Sequence, residues 1–259
     1  MTGRQITLCS LAAAGVLLVA FAFYADRANH PIRPDAEKET ALQRQETAKN
    51  KPNAAPIAKE AKTGAALYAS EEQGGMYENL ILQVNGGSLH TTWSNEINPS
   101  FAPEIYALDL NKDGRDELLI LITTGHGTGV RESWAHAIDP EKLAEIAVDN
   151  PVEAVRKHIQ SKVTTAEVSV SVGPGGTPMR IDPETIAAEP ANWFDKLAFG
   201  SIVRFEIRNN ELVAEIPAQL SPADFIGEAT LTYDYRNGRY SPYRIEFTSG
   251  NASTMLLLD

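Results

Sequence analysis

Cysteine is almost absent from this 259-residue chain, Cys9 being the only one. Everything after it is barred from disulfide formation, so stability there must come from core packing or from a bound ion. Charge is missing from Ile6 to Ala25, a run of twenty residues without Lys, Arg, Asp or Glu. Large apolar residues are scarce from Asp26 to Lys62, where Ala, Lys, Glu, Gln and Pro dominate. Such a stretch cannot bury enough surface to offset chain entropy. Basic residues thin out beyond it. Residues 1–62 hold 9 Lys and Arg against 6 Asp and Glu, whereas residues 63–259 hold 14 against 28, a net charge of −14. So acidic a domain repels phosphate backbones, which argues against nucleic acid as a partner. It attracts cations, and the plainest use of its charge is solubility.

These absences divide the chain into three. Residues 1–25 open with Arg4 and continue into the uncharged run, whose twenty residues as a helix would span about 30 Å, the thickness of a bilayer's hydrocarbon. A basic start before an apolar run is the pattern of an export signal. Ala20-Phe21-Ala22 offers small residues for signal cleavage, which would release a secreted protein. Left uncut, the same helix is a membrane anchor with the domain facing outward. Both outcomes stay open. Leu8 before Cys9, with the apolar run mostly after it, does not fit a lipidation signal. Residues 26–62, with Pro31, Pro34, Pro52 and Pro56, read as a flexible spacer.

Residues 63–259 are expected to form a mainly β domain of antiparallel hairpins and meanders with one short helix. Strands are expected at Tyr77–Val84 and Leu89–Trp93 around Asn85-Gly86-Gly87, then at Glu104–Leu110, Glu117–Thr123 and Val130–Ile138. Leu143–Val148 suits strand or helix. Asn150 caps a helix with Pro151 at its first position and Glu153 at its third; Val152, Val155 and Ile159 share a face, so the helix spans about 151–162. Val163–Val172 reads as a strand and Trp193–Leu197 as a helical turn. Two hairpins close the domain, Ile202–Ile207 with Leu212–Ile216 and Ala229–Tyr235 with Tyr243–Phe247, turning at Asn209-Asn210 and Asn237-Gly238. Residues 77–123 and 202–247 share a hairpin–link–hairpin order, which fits either a degenerate duplication or the recurrence of strand–turn–strand in any meander.

The chemistry concentrates at Asp109-Leu110-Asn111-Lys112-Asp113-Gly114-Arg115-Asp116-Glu117. Calcium wants six to eight oxygens at roughly 2.3–2.6 Å. Asp109, Asn111 and Asp113, at alternate positions, turn inward together when a chain wraps an ion. Gly114 provides the sharp turn at the sixth position. Arg115 would contribute its backbone carbonyl and Glu117 a further carboxylate. An EF-hand needs flanking helices and Glu at position 12, where this chain has Ile120. The expected ligand is therefore Ca2+ in a strand–loop–strand hairpin, at Asp109, Asn111, Asp113, Arg115 and Glu117. The plainer alternative is a solvated acidic turn, since Asp, Asn and Gly are common in turns.

On these residues the loop resembles the calcium loops of FG-GAP and VCBS-type repeats, as in integrin α-subunit propellers. The likeness covers about one repeat and implies ligands at those five positions. It does not carry the propeller, which needs several blades. The wider pattern, DLNKDGRDELLILITTGHGTGV with AQLSPADFIGEATLTYDY, resembles exported proteins of Gram-positive spore-formers and implies no particular activity.

Other constellations are weaker. Gly125-His126-Gly127-Thr128-Gly129 lacks the Gly-Lys-Ser/Thr ending of a phosphate loop, and His126 reads as an exposed turn histidine. His90 and His136 lack zinc spacing. Ser133 and Ser169 lack nucleophile-elbow glycines. Of the aromatics, Tyr240 and Tyr243 beside a turn are the best exposed candidates for a binding surface, against a plainer role in cross-strand packing. The expectation is an exported calcium-binding module, non-enzymatic, held at the envelope by its membrane helix or by a protein or cell-wall partner. The alternative is a calcium-stabilised envelope hydrolase.

Overall fold

The computed structural model describes residues 55–250 and 252–258. The expected signal or anchor helix, and most of the spacer, lie outside the described residues. Among the described residues no helix is long and apolar enough to cross a membrane. Ordered pairing begins inside the stretch assigned to the spacer: Ala58–Lys59 (β1) pairs with Ala66–Tyr68 (β2), and Ile57 N–H donates to the Leu67 carbonyl at 2.8 Å.

The fold is mainly β and largely antiparallel, as expected. Its first half contains Glu71–Gln73 (β3), Met76–Glu78 (β4), Ile81–Val84 (β5), Gly87–His90 (β6), Asn95–Glu96 (β7) and Glu104–Leu108 (β8). Then come Glu117–Gly127 (β9), Val130–Asp139 (β10) and Ala144–Val148 (β11). The expected strand Tyr77–Val84 is broken at Asn79, whose φ of 52° turns the chain between two small sheets. Leu143–Val148 resolves as strand β11.

The helix (α1) runs Pro151–His158, with Asn150 Oδ1 accepting from Val152 N–H (2.9 Å) and Glu153 N–H (3.3 Å). It stops four residues before the expected end. Ile159–Val163 (β12) instead pairs with Val168–Val172 (β13), which pairs with Met179–Ile181 (β14). Ile159 and Val163 stand four apart, which suits a helix face and a strand face alike. The hairpin wins because it sets Ile159 and Val163 opposite Val172 and Val168 across its two strands. No helical turn forms at Trp193–Leu197; a short 3-10 turn at Pro190–Asn192 precedes it.

Arg204–Arg208 (β15), Glu211–Gln219 (β16), Phe225–Arg236 (β17), Arg239–Ser249 (β18) and the unexpected Ala252–Leu257 (β19) complete the chain. The main sheet has nine strands in the order β15-β16-β17-β18-β11-β10-β9-β8, with β19 on β18 and only β11–β18 parallel. It curls back on itself: Arg131 bridges Ile202, its N–H donating to the Ser201 carbonyl and its carbonyl accepting from Val203 N–H. β15 to β18 form one meander, whereas β5–β6 and β8–β9 belong to different sheets, so residues 77–123 and 202–247 differ in topology.

Strand β9 explains the two cores. Leu119 and Leu121 pack with Leu212, Ile216, Leu231 and Phe247 inside the curled sheet. Leu118, Ile120 and Ile122 face the other way, onto Leu67, Leu80, Leu82 and Trp93 beneath the β1-β2-β5-β6 sheet. A strand covered on both faces needs a continuous apolar run rather than alternation. The loop before β9 is thereby anchored in the middle of the molecule.

Candidate functional site

The loop between β8 and β9 is closed by the Leu108–Glu117 strand pair. Asp109 Oδ1 accepts from Asp113 N–H at 3.0 Å and Oδ2 from Gly114 N–H at 3.0 Å. Asn111 Oδ1 accepts from the same Asp113 N–H at 2.8 Å. Oxygens of Asp109 and Asn111 therefore converge on one point. Lys112 and Gly114 make the turn with φ of 63° and 89°. The glycine was expected there. Lys112 adopts the left-handed region although lysine is not favoured in it.

Asp113 points elsewhere. Its Oδ1 accepts from Arg115 N–H and its Oδ2 from the Arg115 guanidinium, both at 2.9 Å. That guanidinium holds the Asp113 carboxyl below its usual range. Arg115 also reaches Glu141 at 2.9 Å, Lys62 binds Asp116, and Lys112 lies 3.7 Å from Asp234.

Glu117 is only 4 % exposed. Its Oε2 accepts from Leu110 N–H (3.1 Å), Asn111 N–H (3.2 Å) and the Tyr240 hydroxyl (3.0 Å), and its Oε1 from Asn111 Nδ2 (2.7 Å). Burial pushes its pKa up, although Tyr240 and the two amides oppose the shift. Glu117 thus ties the loop to the core, a role its position at the end of a metal-like motif did not reveal.

The donor set fits a hard cation in part. Asp109 and Asn111 already converge, and Glu117 Oε1 faces the Asn111 amide. That amide nitrogen fills the gap between Asn111 and Glu117, and Arg115 holds Asp113. Among the described residues no three His, Cys, Asp or Glu side chains cluster as a metal set, so a cation here depends on the Asn111 amide and a backbone carbonyl.

The aromatics mostly pack. Tyr240, expected to be exposed, is 1 % exposed, beside Tyr235 at a ring separation of 5.3 Å. Half-buried Tyr243 donates to Glu211 at 2.9 Å. Trp93 stacks on His136 at 3.9 Å. Trp134 alone among the three tryptophans is exposed, at 40 %.

His126 is exposed, as expected, but it is not in a turn. It lies in β9, its Nδ1 hydrogen-bonded to buried Glu96 and its ring 4.5 Å from Phe101. Thirty residues separate His126 from Glu96, and no local pattern announces the pair. Elsewhere a groove of about 460 Å3 is lined by Arg180, Asp182, Ile186, Asp224 and Phe225 among others. Asp182 Oδ1 accepts from Glu184 N–H (3.0 Å) and Asp224 Oδ2 from Ser221 Oγ (2.5 Å), so each carboxylate serves its own turn. Compared with family models, curated proteins and solved structures, the chain matches none.

Proposed function

We propose that this chain is an exported, non-enzymatic binding or structural module whose β8–β9 loop takes up calcium. The observation that carries the reading is the meeting of Asp109 and Asn111 side-chain oxygens on the Asp113 amide, 3.0 and 2.8 Å away. Asp109, Asn111, Asp113, the Arg115 carbonyl and Glu117 would hold the ion, and the ion would supply a clamp across the loop. Export rests on the uncharged run Ile6–Ala25, and the lack of cysteine beyond it makes an ion a useful stabiliser. The hydrolase alternative needs convergent carboxylates in a cleft. The groove's Asp182 and Asp224 are each engaged in local turns, which favours the binding module.

Thermal melts in millimolar calcium, in magnesium and with chelator test the reading. With a dissociation constant of about 0.1 mM, 1 mM calcium adds about 1.4 kcal/mol. For a domain of this size that raises Tm by roughly 3–5 °C. Asp109→Asn should abolish the calcium increment. Equal melting temperatures in calcium and chelator remove the metal from the reading.

A further inference from the structure

The β9–β10 hairpin has a bulge near its turn. Ser133 pairs with Thr123 and Glu132 with Gly125, leaving Thr124 as the extra residue. A bulge reverses the alternation beyond it and re-aims the side chains that follow. Here it brings His126 opposite Arg131, on the face that carries Thr123 and Ser133. Both side chains lie on one ring: His126 is 4.5 Å from the Phe101 centroid, and the Arg131 guanidinium carbon is 5.3 Å from it.

Each has one side committed and one side open. Glu96, 8 % exposed, holds His126 Nδ1, while the imidazole side chain is 43 % exposed and its Nε2 has no hydrogen-bond partner among the described residues. Glu96 is itself positioned by the β4–β7 pairing, and neighbouring Asn95 accepts from Thr123 N–H at 2.8 Å. Arg131 donates through Nε to Ser133 Oγ at 3.2 Å. Arg115, Arg180, Arg204, Arg208, Arg236 and Arg239 each reach a carboxylate. Arg131 reaches none within 4 Å among the described residues, in a domain with twice as many acidic as basic side chains. Glu104 is close enough to act on Arg131 through space, yet its carboxylate accepts from the Tyr106 hydroxyl. Burial and Arg204 both work against the Arg131 charge. A half-buried guanidinium without a carboxylate leaves donors that an outside acceptor would satisfy.

We propose that Arg131 and His126, set side by side on Phe101 by the Thr124 bulge, bind a small oxyanion, a carboxylate or phosphate group. The planar guanidinium fork matches either group with two parallel hydrogen bonds. His126 donates through Nδ1 to Glu96, so in its imidazolium form Nε2–H adds a third contact from the facing strand. The site is independent of the β8–β9 loop and of calcium.

Titration with sodium acetate and, separately, inorganic phosphate tests this in calcium-free buffer, with chloride holding ionic strength constant. Chemical shifts of the Arg131 Nε–H and the His126 ring are followed. Saturable shifts with a millimolar dissociation constant are expected in at least one titration. Saturation by acetate alone assigns a carboxylate ligand, and saturation by phosphate alone assigns a phosphate group. Arg131→Gln should weaken binding at least tenfold, while Arg244→Gln should leave it unchanged, since Arg244 donates to Thr232 away from Phe101. If Arg131→Gln does not fold, His126→Gln, read at the Arg131 Nε–H, should weaken binding several-fold. Linear, non-saturating shifts with both anions overturn the proposal. So does saturable binding unchanged in whichever of the two variants folds.

Discussion

The Tyr240 hydroxyl donates to Glu117 Oε2 at 3.0 Å, joining residues 123 positions apart inside the protein. Glu117 opens β9 and Tyr240 lies near the start of β18. Through Glu117 the same contact reaches the amides of Leu110 and Asn111. One end of the β8–β9 loop is therefore fixed to the core, while Lys112, Asp113 and Gly114 stay exposed. The anchored end carries Asn111, whereas the Asp113 carboxylate at the exposed tip is held by Arg115.

Removing the hydroxyl should expose how much that anchor contributes. Tyr240→Phe leaves Glu117 buried with one donor fewer and should cost about 1.5–3 kcal/mol, the range for a hydrogen bond to a charged group. Glu117→Gln sets an amide against the Asn111 Nδ2 donor and should cost about as much. The double variant should destabilise by less than the sum of the two, because they share one contact. Urea unfolding of the four proteins checks this; additive losses would mean that the 3.0 Å contact carries no coupling.

Glu228 should give an inverted pH signature. Its carboxylate shares the Arg204 guanidinium with Glu215. Burial, and then the Glu215 charge, push its pKa above the ordinary 4.5. The folded state then holds this proton more tightly than the unfolded state. The contribution is fully present below the unfolded pKa and is lost as pH rises through the folded one. The stability difference between wild type and Glu228→Gln should therefore favour wild type more at pH 5 than at pH 7. Denaturant unfolding at the two pH values reads it, and a difference that grows with pH contradicts the placement.

The turn between β15 and β16 makes a local prediction. Asn209 and Asn210 have φ of 54° and 61°, and both are exposed. Asn tolerates the left-handed region and glycine adopts it freely. Asn210→Gly should hold or slightly raise Tm. Asn210→Val, whose branched side chain clashes with that conformation, should lose about 1–2 kcal/mol. Equal melting temperatures for the two variants would contradict the turn geometry.

Many of the strands were legible, because apolar runs and Asn-Gly pairs report local chemistry. The β9 run was legible for the same reason, although its two-faced burial needs a partner sheet that no local pattern names. Tyr240 was misread for a physical reason. Its place beside the Asn237-Gly238 turn suggested exposure, and plain alternation from buried Ile245 and Phe247 would also turn it outward. The structure shifts register at Thr232/Tyr233: Thr232 pairs with Arg244 and Tyr233 with Pro242, so Tyr243 is the extra residue. The shift reverses the alternation and buries Tyr240. At His126 the Gly-rich segment suggested a turn, whereas β9 continues through it past the Thr124 bulge. The helix end failed because Ile159 and Val163 suit both periodicities. Within the loop, the convergence of Asp109 and Asn111 was readable from their spacing. The capture of Glu117 by Tyr240, and of Asp113 by Arg115, depends on side-chain choices that spacing does not determine.

Two glycines should separate a tightly packed strand from an open one. Gly227 lies in β17 beside β18, and an added Cβ would stand 2.5 Å from the Thr248 carbonyl oxygen and 2.6 Å from Phe247 Cζ. The carbonyl cannot retreat without disturbing the Glu228–Thr248 pair, and Phe247 is fully buried in the main core. Neither obstacle is the loose end of a surface chain. Gly227→Ala should therefore cost about 1–3 kcal/mol, the range for overpacking a filled interior. Gly127, at the end of β9, has nothing within 4 Å of its would-be Cβ. Gly127→Ala should stay within about 0.5 kcal/mol of wild type. Thermal melts of both variants decide the point. Equal losses would mean that strand propensity, common to both sites, governs the response; a loss confined to Gly227 ties it to the close approach of β17 and β18.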